Sequence, residues 1–497
     1  MPAPPSPAVN KTSLVLTLTH EFQPSLELFV RLAKLDALAA LLRPAYNRCW
    51  TPTVTMWGMI LAYLGPKKAT LEQVLATLRL GAADLLCAPG KELSRLLATC
   101  TSTSAYSQAR ERLPLPWLRR CLAAQAEALS GLATGWHWRA LRVLVLDGTQ
   151  IPLRSRGRIP AVFPPASNQY GPAYWCQARV LGCFCRGTGL AVAAVFGAIT
   201  DGEQAQAVRL ILYGLSHLPR ASVLWLGDRN FGVWRVVAAA WQRQSQVLVR
   251  LTAARAAKLA GGQRLLAGLD LPVSWSPSRH DVRDRGLTAV TVPGRLLVVA
   301  CARPAFRPQL LYLFTTLTDP VVYPAADLAA LSARRWQVEI NFRQLKPQLG
   351  RDRLEVQSPG MAKREIYAGL RAYNLVRGVL LLSAAHRGLP LERLSFATAR
   401  AELAAGLPRL GREPARTVAW LGGVVHRVGR RPLPRRRSPR PAEPRRKRHR
   451  REAFPGLLGS RASARHELEQ AWLAGGGTKS QWHWAGRPLT AFSGRRR

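Results

Sequence analysis

Three carboxylates stand where a chain would place chemistry. Arg142-Val-Leu-Val-Leu-Asp147 and Ser222-Val-Leu-Trp-Leu-Gly-Asp228 are short apolar runs, each read as a buried strand closed by an aspartate. Parallel-sheet active sites gather at such strand ends. The third carboxylate, Glu339, lies in a stretch read as one helix from Pro324 to Leu349. At 100° per residue, Ser332, Arg335, Glu339, Arg343 and Lys346 fall within an arc of about 80°. Leu331, Val338, Phe342, Leu345 and Leu349 form a neighbouring apolar stripe. Taken alone, this helix reads as a solvated face with Arg335–Glu339 and Glu339–Arg343 ion pairs. Taken with the two aspartates, it suits metal chemistry on phosphodiesters. Hard oxygen ligands hold magnesium, a pair of ions activates the attacking oxygen and stabilises the leaving one, and the cations hold the strand.

The elements that must position these groups are legible in outline. Residues 13–135 read helical: Leu26, Leu28, Phe29, Leu32, Leu35 and Leu38 recur at helical spacing, as do Leu71, Val74, Leu75, Leu78 and Leu80. Ser107 to Leu113 reads as a capped helix with a basic face. From Arg142 the pattern becomes an alternation of strands and helices: strands at Ala173–Cys185, Leu190–Ile199 and Gln246–Leu251, helices at Glu203–Leu215 and Phe231–Gln242. That alternation predicts an α/β fold with parallel central strands. Residues 252–316 read as β-rich, with strands at Leu287–Val292, Leu296–Ala302 and Leu310–Thr316. A second long helix is expected over Met361–His386. Beyond Arg427 a Pro-interrupted basic block cannot pack a core and is expected to be disordered, and the last forty residues show no readable element.

The chain has 497 residues and a formal net charge of +44. Such a charge calls for a polyanionic partner, and nucleic acid fits best because basic surfaces release its condensed counterions. The segment from Arg427 to Arg451 holds 13 basic residues against one acid, Glu443, so the remainder is strongly basic too. Arg outnumbers Lys 62 to 10, which favours bidentate phosphate contacts. No run reaches the ~18 apolar residues of a membrane helix, and Met1 to Pro7 lacks the features of a signal peptide; a cytoplasmic protein with no membrane partner is expected. The eight cysteines form no C-x-x-C pair and are read as reduced, buried thiols. No P-loop, H-E-x-x-H or serine-nucleophile elbow occurs, which removes ATPase, zinc hydrolase and serine hydrolase readings.

Leu146-Asp-Gly-Thr149, Gly227-Asp-Arg-Asn-Phe-Gly232 and Leu331-Ser-Ala-Arg-Arg-Trp-Gln-Val-Glu-Ile-Asn-Phe-Arg-Gln-Leu-Lys346 together resemble the DDE transposases of bacterial insertion sequences. The resemblance is to the group with a Tyr-x2-Arg-x3-Glu-x6-Lys signature. Arg335, Glu339 and Lys346 keep its spacing, whereas Ser332 stands where that group has Tyr. Thr315-Thr-Leu-Thr-Asp-Pro320 and Ala372-Tyr-Asn-Leu-Val-Arg377 support it, over roughly residues 100–385.

The resemblance implies an RNase H-like catalytic core interrupted by a β-rich insertion; 111 positions separate Asp228 from Glu339, more than a compact core needs. It divides the chain into a helical DNA-binding domain (1–135), the first part of the core (136–251), the insertion (252–316), the second part with the Glu helix (317–388), a helical segment (389–426) and a basic tail (427–497). Asp147, Asp228 and Glu339 become the catalytic ligands of two Mg2+ ions, with Mn2+ as a substitute. Arg335, Lys346, Arg343 and Arg229 become contacts to DNA, and Trp275 a platform for a base turned out of the duplex. The implied partners are double-stranded DNA at terminal inverted repeats and at a target, plus a second copy of the chain on paired ends, in the bacterial nucleoid. Two rival readings remain: a related RNase H-like nuclease, and a DNA-end-binding protein without catalysis. Incubation with magnesium and DNA carrying the flanking repeats separates all three.

Overall fold

The computed structural model describes residues 50–65, 68–87, 92–99, 102–133, 135–168, 171–215, 222–281, 287–301, 309–345, 354–406, 417–434 and 460–474. The helical reading around Leu26–Leu38 falls outside them.

Five helices come first: α1 (Pro52–Leu64), α2 (Leu71–Arg79), α3 (Leu93–Ala98), α4 (Ser104–Arg112) and α5 (Leu115–Ser130). Local chemistry starts several of them. Thr51 caps α1 ahead of a proline in its first turn, and Thr70 with Gln73 forms a capping box on α2. In α2, Val74, Leu75 and Leu78 are buried, whereas Leu80, just past its end, is exposed.

The sheet follows: β1 (Arg142–Leu153), the short helix α6 (Ile159–Val162), β2 (Pro165–Asn168), β3 (Gly171–Cys185), β4 (Ala191–Ala198), α7 (Glu203–Tyr213), β5 (Val223–Gly227), α8 (Trp234–Gln242), β6 (Gln246–Arg250), α9 (Ala253–Leu259), β7 (Asp270–Trp275), β8 (Val292–Cys301) and β9 (Gln309–Thr315). All nine strands join one mixed sheet in the order β2-β3-β1-β5-β6-β9-β8-β7, with β4 also paired to β3. The central β1–β5 and β5–β6 pairs are parallel, as the strand–helix alternation predicts. The β-rich stretch continues this same sheet, because β9 pairs antiparallel with β6.

The helices that follow are α10 (Ala325–Ala333), α11 (Gln337–Leu345), α12 (Pro359–Arg387), α13 (Phe396–Gly406), α14 (Thr417–Gly429) and α15 (Arg461–Ala474). Two expectations need correction. The single helix read over Pro324–Leu349 is two helices, separated by a 3-10 turn at Arg334–Trp336. A 3-10 turn advances ~120° per residue, so Ser332 and Arg335 do not share one continuous wheel with Glu339. The C-terminal stretch read as wholly disordered contains α15, whose backbone N–H at Ser463 donates to the Ser460 hydroxyl at 3.1 Å. That cap, followed by Ala, Glu, Gln and Leu, outweighs the Gly- and Arg-rich flanks.

Helix α12 ties the halves together and is buried on nearly all sides from Met361 to Ser383. Its Asn374 side chain accepts from the Ala191 N–H and donates to the Ala191 carbonyl, both at 2.8 Å, which satisfies edge groups of β4. Tyr373 donates to the Gly189 carbonyl and Arg377 to the Thr188 carbonyl. Gly189 has φ +70°, and Arg377 fills the space where a side chain would stand. The Ala372–Arg377 stretch thus fastens the β3–β4 turn. At the other end of α12, buried Glu365 accepts from Tyr63 and Arg110 and pairs with Lys68 at 3.1 Å, closing the helical N-terminal part onto α12. Among the described residues no helix is long and apolar enough to cross a membrane.

Candidate active site

Asp147 sits within β1, where the parallel register aligns Val145 with Leu226 of β5. The pairing stops at that pair, and Asp228 follows the last residue of β5, close enough for its charge to act on Asp147. On its other side Asp147 is paired with Gly182 of β3. A Cβ at Gly182 would meet Phe342 Cζ at 2.9 Å and Phe184 Cε2 at 2.7 Å. The glycine therefore leaves a notch for Phe342 of α11, whose ring meets Phe184 edge-on at 5.0 Å. Phe342 lies one turn beyond Glu339. Together with buried Val338 and Leu345, it seats the glutamate helix on the face toward which Asp147 points. The apolar stripe read from the sequence is thus the docking face of α11.

The charges meet at Asp147. Burial pushes its carboxyl up to about 6, Arg335 pulls it back down, and Asp228 and Glu339 push it further up. Four residues predicted from the sequence thus lie near enough for their charges to act on one carboxyl. Local hydrogen bonds hold the aspartates: Asp147 Oδ1 accepts from the Gly148 N–H at 3.0 Å, and Asp228 Oδ1 from the Asn230 N–H at 2.8 Å.

The other predicted residues fall elsewhere. Arg343 and Arg229 are exposed, and the Arg229 carbonyl accepts from Arg255 at 3.4 Å. Trp275 is half-buried and meets Phe314 edge-on at 4.9 Å, so it is packed against the sheet. Lys346 lies outside the described residues. One acidic residue escaped the sequence reading: Glu203, the first residue of α7, rests against Gly148 and accepts from Asn230.

The donor set fits a divalent cation in kind. Its ligands are hard carboxylate oxygens, and Asp147 is raised first by burial and then by the neighbouring acids, both of which a cation offsets. Among the described residues no three His, Cys, Asp or Glu side chains are gathered closely enough to hold an ion as they stand. Ligation therefore requires the carboxylates to swing inward. The described cysteines are free thiols. Cys121, Cys176, Cys183 and Cys185 are buried, whereas Cys301 is exposed, contrary to the reading of all eight as buried.

The family model described as the transposase DDE domain matches residues 138–375. This stretch is similar to that family and spans β1 through most of α12, including Asp147, Asp228 and Glu339. The chain is also similar to the transposase of an insertion sequence. It is 26% identical over 305 residues to transposase InsG for insertion sequence element IS4 of Escherichia coli, an alignment covering 59% of this chain and 64% of that one. The chain therefore spans less than two thirds of this relative's length. Among solved structures, the piggyBac transposase synaptic complex with hairpin DNA aligns over 85% of each chain at 12% identity, with a TM-score of 0.37; a likeness that loose carries no argument.

Proposed function

We propose that the chain is a DNA transposase that cuts an insertion sequence at its terminal inverted repeats and joins the freed 3′ ends to target DNA. The observation that supports this reading is that the charges of Arg335, Asp228 and Glu339 act on buried Asp147, with the glutamate helix seated in the Gly182 notch. In this proposal the sheet and its helices form an RNase H-like core, residues 1–135 bind DNA, and two copies of the chain hold the paired ends. The proposal keeps the domain limits given above, with residues 252–316 extending the core sheet and a helix within the tail.

Asp147, Asp228 and Glu339 would hold two Mg2+ ions, or Mn2+ in their place. When bound, such a pair activates the attacking oxygen and stabilises the leaving one. The chain's own work is positioning. The parallel pair β1 and β5 brings the two aspartates near each other, and the Gly182 notch delivers Glu339 through Phe342. Arg335 offsets the negative charge that accumulates there and is placed to grip a backbone phosphate beside the scissile bond. Arg343, Lys346 and Arg229 add phosphate contacts that fix register without reading sequence. Trp275 would have to leave its place against Phe314 to stack on an extruded base.

The test uses the full chain, Mg2+ and a plasmid carrying the coding gene with its flanking DNA. Excision with strand transfer supports the proposal. Unguided nicking selects a related nuclease, and binding without cleavage selects a non-catalytic DNA-end-binding protein. Asp228→Ala is expected to abolish cleavage while leaving binding largely intact, because binding rests on many phosphate contacts.

A further inference from the structure

We propose that Glu203 is a positioning residue of the carboxylate site, one that couples strand β1 at Asp147 and Gly148 to the turn carrying Asp228. This rests on the function proposed above. The geometry is a short relay. Glu203 Oε2 accepts from Asn230 Nδ2 at 2.5 Å, and the backbone N–H of the same Asn230 donates to Asp228 Oδ1 at 2.8 Å. The neighbouring Gln204 donates to the Asn230 carbonyl at 3.0 Å. Asn230 is thus gripped by the first turn of α7 on one side and by Asp228 on the other. The second oxygen of Glu203 faces β1 beside the other aspartate. A Cβ on Gly148 would collide with Glu203 Oε1, so the carboxylate lies directly on the glycine whose N–H donates to Asp147 Oδ1 at 3.0 Å.

One side chain therefore touches both the strand that carries Asp147 and the turn that carries Asp228. The aspartates sit on adjacent strands, but their carboxylate orientations depend on local N–H groups just past the point where β1 and β5 stop pairing. Groups that orient ligands in this way set metal affinity nearly as strongly as the ligands themselves. The competing role for Glu203 is a charge at a helix N-terminus, which favours an acid there for the helix dipole alone. Glutamine separates the two. Its amide oxygen can accept from Asn230, but it carries no charge to offer a dipole or an ion.

The experiment compares the full-length wild type with Glu203→Ala, Glu203→Gln, Gly148→Ala and Asp147→Ala. Three quantities are read: cleavage of the plasmid described above, Mn2+ binding followed by electron paramagnetic resonance without DNA, and amide exchange at Asn230 in metal-free protein. Thermal midpoints check folding. For Glu203→Ala the expected result is a roughly 10–100-fold loss in cleavage and in Mn2+ affinity, with faster exchange at Asn230. Glu203→Gln should restore all three to near wild type. Gly148→Ala should reproduce Glu203→Ala, and the double variant should be no worse than either single one, because both dislodge the same carboxylate. Wild-type values for Glu203→Ala, or a Glu203→Gln as impaired as Glu203→Ala, overturn the inference. If Asp147→Ala cleaves normally, the proposed function fails instead, and the exchange at Asn230 still decides the relay.

Discussion

Two groups of acids in this molecule are built on opposite terms. Glu365, on α12, is enclosed: Tyr63, Arg110 and Lys68 close around its two oxygens, and its side chain is only 3% exposed. Burial pushes the Glu365 carboxyl up to about 8, higher than Asp147, yet the chain itself supplies the countercharge there. Around Asp147, negative groups outnumber the cation that answers them, and the carboxyl is held up to about 6 by burial and by Asp228 and Glu339. A buried acid ringed by cations of its own chain holds elements together. A buried acid whose charged neighbours are mostly acids keeps a site ready for a cation from outside, at a cost in stability. The contrast lies in the neighbouring charges, since burial raises both carboxyls.

The largest effect that would break this comparison is at Glu365. Glu365→Ala removes the carboxylate that Arg110, Tyr63 and Lys68 share and leaves the buried Arg110 charge uncompensated by it. Breaking a buried pair from one side costs ~3–5 kcal/mol, so denaturant unfolding should show a loss of that order. A loss below ~1 kcal/mol, the range of exposed pairs, would mean that this cluster is not structural.

Next is the notch. Gly182→Val places methyl groups where Phe342 and Phe184 already stand. Overpacking costs ~1–3 kcal/mol, and a displacement of Glu339 by about 1 Å is enough to cost ~100-fold in rate. Cleavage should therefore fall much further than stability. Equal, modest losses would show that Phe342 does not set the position of Glu339.

The third expectation has the opposite sign. Asp147 has its carboxyl raised from an ordinary 3.8 to about 6. The folded state therefore holds its proton more tightly than the unfolded chain. Its stabilising contribution is complete below the ordinary value and is lost as pH rises to about 6. Asp147→Asn removes that loss. In the absence of metal it should be more stable than wild type at pH 7 by roughly 1–2 kcal/mol, allowing for partial exposure, and the difference should vanish near pH 4. A variant that abolishes cleavage yet raises the thermal midpoint is the signature of a site held against stability. No gain at pH 7 would remove Asp147 from the repulsive class.

Much of this site could be read from the chain because its parts are local. A buried apolar run ending in Asp is a feature of six or seven residues, and Asp147 and Asp228 were found that way. The stripe Val338, Phe342 and Leu345 was equally plain. What stayed hidden depends on distant partners or on small breaks in regularity. Nothing near Gly182 announces that it faces a ring 160 positions away. The pairing of β9 with β6 closes across some sixty residues, so the β-rich stretch read as a separate piece rather than as the rest of the sheet. The turn at Arg334–Trp336 was missed because a helical wheel assumes a constant angle, and α15 because its neighbours are rich in Gly and Arg. Glu203 passed unnoticed because an acid at a helix start is ordinary.

The smallest effect concerns Arg335, and it asks which side of the comparison this residue serves. Its charge lowers the Asp147 carboxyl, as an internal counterion would. Its place beside the three carboxylates also suits a grip on phosphate. Arginine has no acceptor and cannot ligate metal, so these are its two roles. An internal counterion contributes to folding in metal-free protein: Arg335→Ala should then cost ~0.2–1 kcal/mol and drive Asp147 further up, so that the pH-dependent loss of stability extends to higher pH. A phosphate grip contributes to DNA binding: the slope of log affinity against log salt should fall by about one. Both changes are expected, because the same guanidinium faces the acids in the empty site and the strand in the loaded one. A changed salt slope with unaltered pH behaviour would leave Arg335 a DNA contact only. The reverse would make it part of the scaffold, and phosphate gripping would then fall to its exposed neighbour Arg343.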